Sequence, residues 1–235
     1  MNSAAQIRYR FELPDGTARS FDFSFNPHDF RLINPPPAAA PFWSQLGFNQ
    51  CENCPLSAAL HPHCPVALQM AAAVEALQDL VSFDAVSVSV AQAERTIYAE
   101  TTVQQAMSSV LGLVMATAGC PWTDRLRPMA RFHLPFANEA ETVYRSVSMF
   151  LLARELYFAD ESGGFDGLAS LYESLHIVNR DMARRLGAAT RSDPARNAIA
   201  LLDAYTILLP AALEASLEEL KPLFAAWAAD GSKII

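Results

Sequence analysis

The sequence predicts an α+β fold in which an antiparallel four-stranded sheet, made of two β-hairpins, is followed by a helical C-terminal half. Two observations lead to this prediction. The first part of the chain contains two pairs of short segments in which apolar and polar residues alternate, as in strands with one buried face. The part after residue 138 has apolar residues three and four positions apart, which is the period of amphipathic helices. Hairpins followed by a run of helices are typical of the α+β class.

The first hairpin is predicted from residues 6–13 and 21–25, which are separated by turn-forming residues at 14–17. Apolar side chains occupy alternate positions in both segments: Ile7, Tyr9, Phe11, Leu13, Phe21, Phe23 and Phe25. Residues 84–90 alternate in the same way, and residues 95–101 follow after a short polar turn. These two segments therefore predict the second hairpin.

Residues 26–50 connect the first hairpin to the cysteine-rich segment and show neither a helical nor a strand period. Prolines and aromatic residues are interleaved there: Pro27, Phe30, Pro35, Pro36, Pro37, Pro41, Phe42, Trp43 and Phe48. A connection of this length without regular structure is unusual in a compact domain and normally has a function, disorder or an added cross-link to explain it. The aromatic residues favour packing, and a metal bound at the cysteines that follow would supply the cross-link.

Two helices are predicted near the hairpins. Pro65 is suited to the first position of a helix, which places Cys64 at its N-cap. The peptide dipoles of a helix start favour a thiolate at this position. Thr102 begins a capping box for a second helix that ends at Gly119. Cys120 therefore lies directly after a helix C-terminus.

Three or four further helices are predicted in the C-terminal half, because Pro210 is expected to kink or break the third and the apolar face continues beyond it. The residues that mark their limits are Asn138 and Glu141, Ser162-Gly163-Gly164, Gly187, and Asp193-Pro194. We expect residues 1–235 to form a single domain. Possible subdomains are residues 1–137, with the hairpins, the cysteine-rich loop and two helices, and residues 138–235, which are helical. The Gly163-Gly164 region is the best candidate for a subdomain boundary in the chain itself.

Composition and charge disfavour several classes of function. The chain is 51% apolar, which is ample for a sizeable core. It has only 18% charged residues and a net charge of -8, which disfavours non-specific binding to nucleic acid or to an anionic membrane surface. The start of the chain has no basic region followed by an apolar run, and no stretch approaches the roughly 20 apolar residues of a spanning helix. We therefore expect a cytoplasmic protein without nucleic-acid or membrane partners.

The four cysteines are the first candidate site. Cys51, Cys54 and Cys64 lie close together in the sequence, and Cys120 is the remaining one. The sulfurs of a Cys-x-x-Cys pair hold one ion through a turn, and a helix start and a helix end would supply the other two ligands. In a reducing cytoplasm, clustered cysteines are more often ligands or redox groups than disulfides. We therefore predict one metal site formed by all four.

Zinc is the expected metal, because closed four-sulfur sites are typical of zinc. Cys54, Cys64 and Cys120 are each followed by proline, as is the last cysteine of bacterial ferredoxin motifs, so an iron–sulfur cluster is an alternative cofactor. His61 is a possible alternative ligand. His63 adjoins Cys64, and adjacent residues seldom bind one ion. Reduced cysteines without a metal, and a redox dithiol in the Cys-x-x-Cys pair, remain open alternatives.

The second candidate site lies in residues 123–137, the most basic segment of this acidic chain. Arg125, Arg127 and Arg131 are possible ligands for an anionic small molecule with a phosphate or carboxylate group, and His133 is a candidate proton donor or acceptor. The alternative is that the arginines pair with nearby carboxylates, namely Asp124, Glu139 and Glu141. We prefer the ion-pair interpretation, because structural ion pairs are commoner than binding sites.

Three motifs resemble a family of uncharacterised bacterial proteins. They are Cys54-Pro-Leu followed by Cys64-Pro-Val, Met115-Ala-Thr-Ala-Gly-Cys-Pro121, and Arg127-Pro-Met-Ala-Arg-Phe-His-Leu-Pro-Phe136. The resemblance extends over most of the chain. It implies a bacterial cytoplasmic origin, but it implies no activity, cofactor or partner.

The sequence thus leads us to expect a cytoplasmic metal-binding protein with a binding or regulatory role, in which zinc links the proline-rich loop to the helical core. One alternative is an iron–sulfur or thiol redox sensor. Another is an enzyme that acts on an anionic small molecule through residues 125–133. The sequence contains no glycine-rich phosphate loop, Gly-x-Ser-x-Gly motif or His-Glu-x-x-His motif.

Overall fold

The structure, a computed structural model, describes residues 4–158, 164–189 and 193–229 and has the predicted α+β architecture. Four antiparallel strands form one sheet in the order β2-β1-β3-β4. The strands are β1 Ala5–Glu12, β2 Ala18–Phe25, β3 Ala85–Ala91 and β4 Thr96–Thr102. Both predicted hairpins are confirmed, and pairing of β1 with β3 joins them into the single sheet.

The sheet has one buried and one largely polar face, as the alternation in the sequence predicts. Tyr9 in β1 pairs with Phe21 in β2 on one side and with Val90 in β3 on the other, and all three side chains are buried. Their neighbours along each strand point to the opposite face, because successive side chains alternate. On that face Arg8 forms an exposed ion pair with Asp22 at 2.5 Å.

Most helices of the described residues pack against the buried face or against one another, whereas residues 225–227 of the last helix are exposed. They are α1 Pro65–Ala76, α2 Val103–Thr117, α3 Arg127–Arg131, α4 Glu139–Tyr157, α5 Asp166–Ala189, α6 Asp193–Leu220 and α7 Ala225–Ala229. Short 3₁₀ helices are formed by Phe42–Ser44, Thr123–Leu126 and Lys221–Phe224. The central helix is α2, which contacts the second hairpin, α1 and α6. Most of its residues are buried for this reason.

The predicted helix starts are confirmed. Cys64 is at the N-cap position of α1, directly before proline. The Thr102 hydroxyl accepts a 3.5 Å hydrogen bond from the N–H of Gln105 at the start of α2. Asn138 and Glu141 form a complete capping box at the start of α4, with hydrogen bonds of 2.9 and 2.8 Å. The caps at α2 and α4 satisfy backbone N–H groups that have no partner within the helix, whereas the Cys64 side chain forms no cap hydrogen bond.

One predicted helix end differs from the structure, because α5 continues past Gly187 to Ala189. Glycine within a helix costs only about 1 kcal/mol relative to alanine. The neighbouring side chain of Leu186 is buried in the core. We attribute the continuation to this packing, which favours the helix more than one glycine weakens it. The predicted stop at Ser162 and Gly163 lies outside the described residues.

Pro210 lies inside helix α6 and does not end it. The segments Asp193–Pro210 and Ala215–Trp227 are nevertheless bent relative to each other by 83°. A bend is expected after a proline, which lacks an N–H and clashes with the preceding turn. Among the described residues, no single helix is long and apolar enough to cross a membrane. The two bent segments meet that criterion only when they are taken together. The criterion considers length and composition alone.

Two hydrophobic clusters form the interior of the described part. The larger one contains the buried sheet face, α1, α2 and parts of α5 and α6. The smaller one lies among α4, α5 and α6: Val143, Val147, Leu168, Tyr172, Leu175, Leu209 and Leu213. Trp122 and Leu126 pack against both clusters. The segment that follows Cys120 therefore lies where the two clusters meet.

Candidate functional site

One buried arginine holds the proline-rich connection against α5. The side chain of Arg185 is 1% exposed. Its guanidinium donates hydrogen bonds of 2.7 Å to the carbonyls of Trp43 and Gln45 and of 3.1 Å to that of Leu46. Among the described residues it has no carboxylate within ion-pair distance, and its Nε has no hydrogen-bond partner. The predicted packing of this connection is confirmed, and a positive charge is buried beneath it.

The Cys51–Cys54 segment forms a tight turn. The N–H of Cys54 donates a 3.0 Å hydrogen bond to the carbonyl of Cys51. Between them, the carbonyl of Asn53 accepts a 2.7 Å hydrogen bond from Nε1 of Trp122. Because Trp122 lies two residues after Cys120, this hydrogen bond brings the turn and the last cysteine together.

A second set of contacts attaches the same turn to α5. The N–H of Glu52 donates a 2.8 Å hydrogen bond to the carboxylate of Asp181, which is fully buried. Arg180 and Arg184 form ion pairs with this carboxylate at 3.0 and 3.4 Å. The charge of Asp181 is therefore compensated by arginines other than Arg185.

Cys64 lies at the buried start of α1. Its N–H donates a 2.7 Å hydrogen bond to the carbonyl of Ser44. Burial raises the pKa of the thiol, while the backbone N–H groups of Ala67 and Val66 and the charge of Arg185 act in the opposite direction. A helix start and a nearby cation both favour a sulfur that carries negative charge.

Cys120 follows Gly119, whose φ of +96° ends α2 as predicted. The Asp124 carboxylate accepts a 3.1 Å hydrogen bond from the N–H of Gly119. In return, the N–H of Asp124 donates a 2.9 Å hydrogen bond to the carbonyl of Cys120. These two hydrogen bonds stabilise the backbone conformation around Cys120.

The structure brings the four cysteines into one region. All are free thiols, and Cys51 interacts electrostatically with Cys64, Cys120 and Cys54. Burial, with smaller contributions from these thiols and from Asp181, raises the pKa of Cys51 to about 12. Within the described residues, however, no group of three or more His, Cys, Asp or Glu side chains is arranged to hold a metal ion. The thiols are neighbours but are not at ligand positions around one centre.

The two histidines of the cysteine-rich segment have different surroundings. His61 is exposed, and its backbone N–H donates a 2.8 Å hydrogen bond to the carbonyl of Ser57. Nδ1 of His63 lies 2.8 Å from the hydroxyl oxygen of Ser44. His63 therefore supports the loop that also contacts Cys64.

The three arginines of the basic segment do not converge on one position. Their partners are the Asp124 carboxylate for Arg127, the Trp122 ring for Arg125 at 4.9 Å, and the Phe30 and Phe132 rings for Arg131 at 5.5 and 5.6 Å. The expected ion pair is therefore found for Arg127, whereas Arg125 and Arg131 make cation–π contacts. In the described part of the chain, neither Glu139 nor Glu141 pairs with any of them.

A cavity of about 460 Å³ lies among α2, α3, α4, α5 and α6, within the size range of small-molecule sites. Much of its wall is apolar, and the larger apolar side chains include Leu113, Met115, Leu126, Met129, Leu175 and Leu202. His133 also lines the cavity, whereas none of the four cysteines and none of the three arginines discussed above does. Of the anion-binding residues expected from the sequence, His133 therefore lies at the cavity wall and the three arginines do not.

His133 belongs to a hydrogen-bonded group at the cavity wall. Its Nε2 contacts the hydroxyl of Tyr9, which also lies 2.7 Å from the hydroxyl of Ser109. Burial, with a contribution from the charge of Arg145, lowers the pKa of His133 to about 3. The ring is therefore neutral at neutral pH.

Arg145 is the cavity residue that the sequence analysis missed. Its Nη2 donates hydrogen bonds of 2.6 Å to the carbonyl of Met129 and 3.2 Å to that of Phe132. Burial lowers its pKa, and no carboxylate among the described residues lies within ion-pair distance. The same helix also carries Arg154, and no local pattern indicates which of the two lies in a cavity.

No curated protein and no solved structure matches this chain. A family model does match, over residues 7–225, and its description is "Domain of unknown function (DUF6901)". This match agrees with the resemblance to an uncharacterised family that the three sequence motifs indicate. The chain therefore belongs to the DUF6901 family.

Proposed function

We propose that Cys51, Cys54, Cys64 and Cys120 bind one zinc ion, which links the proline-rich connection to the helical core. The proposed role is binding or regulation in the cytoplasm, where reducing conditions keep the thiols available. The observation that carries the proposal is the buried charge of Arg185, which acts electrostatically on the Cys64 thiol.

A guanidinium that is removed from water needs a counter-charge or a complete set of hydrogen bonds. Arg185 has three carbonyl acceptors, but it has no carboxylate partner and an unpaired Nε among the described residues. Neutral thiols do not supply the missing charge. Zinc bound by four thiolates has a net charge of about -2, since Zn²⁺ contributes two positive charges and four thiolates contribute four negative ones. Such a centre would compensate the positive charge of Arg185.

The surroundings of the sulfurs also suit a thiolate site. The Cys51–Cys54 turn is of the kind that presents two sulfurs to one ion. Cys64 lies at a helix start, where backbone N–H groups stabilise negative charge on sulfur. The thiols would have to move inward to reach the roughly 2.3 Å zinc–sulfur distance. Movement of ligands on binding is expected where metal binding is coupled to folding.

An iron–sulfur cluster is the second candidate for the same cysteines, because three of them precede proline. A thiol redox sensor is less favoured. The raised pKa of Cys51 keeps its sulfur protonated in the metal-free protein, and the protonated thiol is the less reactive form.

Elemental analysis by mass spectrometry, with an ultraviolet–visible spectrum, tests the proposal on tag-free protein purified without oxygen. We expect about one zinc per chain and no visible colour. Cys64→Ser and Cys120→Ser should each lose most of the zinc. His28→Gln is the matched control, since His28 is an exposed histidine of the proline-rich connection and is not a proposed ligand.

Other outcomes would change the assignment. Iron with inorganic sulfide and a broad visible absorbance would replace zinc by an iron–sulfur cluster. Loss of metal from His61→Ala would make that histidine a ligand in place of one cysteine. A wild-type protein that contains no metal and takes up none on titration with zinc or on cluster reconstitution would refute the proposal.

A further inference from the structure

We infer that the cavity among α2 to α6 binds an amphipathic monocarboxylate, whose carboxylate pairs with Arg145 and whose apolar body lies against the apolar lining residues of α2, α5 and α6. This site is separate from the proposed metal centre, because none of the four cysteines lines the cavity. Its assignment therefore does not depend on the proposed function.

The apolar walls of the cavity favour a ligand with a hydrocarbon or aromatic body. The lining includes Leu113 and Met115 from α2, Leu201 and Leu202 from α6, and Leu175 from α5. Transfer of an apolar group from water into such a region is favourable by about 25 cal/mol per Å². The volume of about 460 Å³ suits a small molecule rather than a peptide or a nucleic acid.

Arg145 gives the cavity one positive charge that forms no ion pair within the described residues, and Glu141, one turn earlier in α4, interacts with it electrostatically without an ion-pair contact. Only its Nη2 has acceptors in the described part of the chain, and both of these are backbone carbonyls. Its Nε and Nη1 remain for a ligand. A carboxylate suits this arrangement, because it accepts two parallel hydrogen bonds from one guanidinium.

The charge of the lining favours a monoanion over a phosphate ester. Among the described lining residues, Arg145 is the only arginine or lysine and Glu100 the only carboxylate. His133 adds no second positive charge at neutral pH, and its Nε2 is already in contact with Tyr9. A dianionic phosphate would therefore bring a second negative charge without a partner, whereas one carboxylate is matched by Arg145.

Isothermal titration calorimetry with decanoate, decanol and decyl phosphate tests the inference on the full chain at neutral pH. We expect decanoate to bind the wild-type protein roughly 10- to 100-fold more tightly than decanol, because the alcohol has no charged hydrogen bond to Arg145. Decyl phosphate should bind more weakly than decanoate. Arg145→Met should reduce decanoate affinity by a similar factor and leave decanol affinity nearly unchanged.

Two further variants separate a binding effect from a folding defect. Arg131→Met removes an arginine that lies over the Phe30 ring and outside the cavity lining, so decanoate should bind it as tightly as it binds the wild type. Leu201→Trp narrows the cavity and leaves Arg145 intact, and it should weaken both decanoate and decanol. The inference is overturned if the wild type binds no decanoate, or if it binds decanol or decyl phosphate at least as tightly. It is also overturned if a folded Arg145→Met variant keeps wild-type affinity for decanoate.

Discussion

Nε1 of Trp122 donates a 2.7 Å hydrogen bond to the backbone carbonyl of Asn53, although the two residues are 69 positions apart in the sequence. Asn53 belongs to the turn that carries Cys51 and Cys54, and Trp122 follows Cys120 closely. This single bond therefore connects two of the three chain segments that supply the cysteines. A centre that needs all four sulfurs depends on such long-range contacts.

Trp122→Phe should lower the stability of the protein and, under the proposed function, should also weaken metal binding. The variant keeps an aromatic ring but leaves the carbonyl of Asn53 without its donor, which costs about 1–3 kcal/mol when the group is buried. We expect lower unfolding free energy in urea and a lower zinc affinity in a chelator competition assay. Trp227→Phe, in an exposed position, is the control and should change neither quantity. Unchanged zinc affinity in Trp122→Phe would show that this bond does not position the cysteines.

Arg185→Met should destabilise the protein by about 3 kcal/mol, because three buried carbonyls lose their donor. Under the proposed function, it should also lower zinc affinity, since the compensating positive charge is removed.

Arg184→Met is a matched control on the same helix. Arg184 is 54% exposed and forms a 3.4 Å ion pair, so its loss should cost at most about 1 kcal/mol. Urea unfolding of metal-free and zinc-loaded protein separates the two effects. An Arg185→Met variant that binds zinc as tightly as the wild type would contradict the charge argument.

The neutral state of His133 should make the folded protein sensitive to acid. Its pKa is about 3 in the folded protein and about 6.5 for an ordinary histidine, so only the unfolded chain takes up this proton between these values. The contribution of His133 to the free energy of unfolding is fully present above pH 6.5 and is lost as the pH falls toward 3. The slope is at most about 1.4 kcal/mol per pH unit.

His133→Gln should remove this contribution, so that unfolding free energies measured in urea fall less steeply between pH 6.5 and 4 than those of the wild type. His61→Gln, at an exposed position, should retain the wild-type slope. Equal slopes for His133→Gln and the wild type would mean that His133 takes up a proton in the folded state as readily as in the unfolded state.

The capping box of α4 should act as a unit. Asn138→Ala removes the acceptor for the N–H of Glu141, and we expect a loss of about 0.5–2 kcal/mol in thermal or urea unfolding. Glu141→Ala removes the reciprocal bond to the N–H of Asn138. Because the two side chains belong to one hydrogen-bonded unit, the double variant should lose less than the sum of the single losses. Strict additivity would indicate that the two bonds are independent.

Much of the architecture could be predicted because it depends on residues close together in the sequence. The alternation at Tyr9 and Phe11, the proline after Cys64, and the capping box at Asn138 each indicate one local structure, and each is found in the described residues. The end of α5 could not be predicted in this way. Gly187 favours a stop locally, whereas the burial of Leu186 favours continuation, and burial depends on segments distant in the sequence.

The candidate sites show the same division. The sequence by itself determined that the four cysteines are candidate ligands and that a basic segment follows Cys120. Only the tertiary structure decided that Arg125 and Arg131 lie over aromatic rings. It also decided that Arg185 is buried and that Arg145 lines a cavity. The physical reason is that the environment of an arginine is set by contacts with distant segments. Arg185 binds the carbonyl of Trp43, 142 residues earlier, and no periodic pattern along the chain records such a contact.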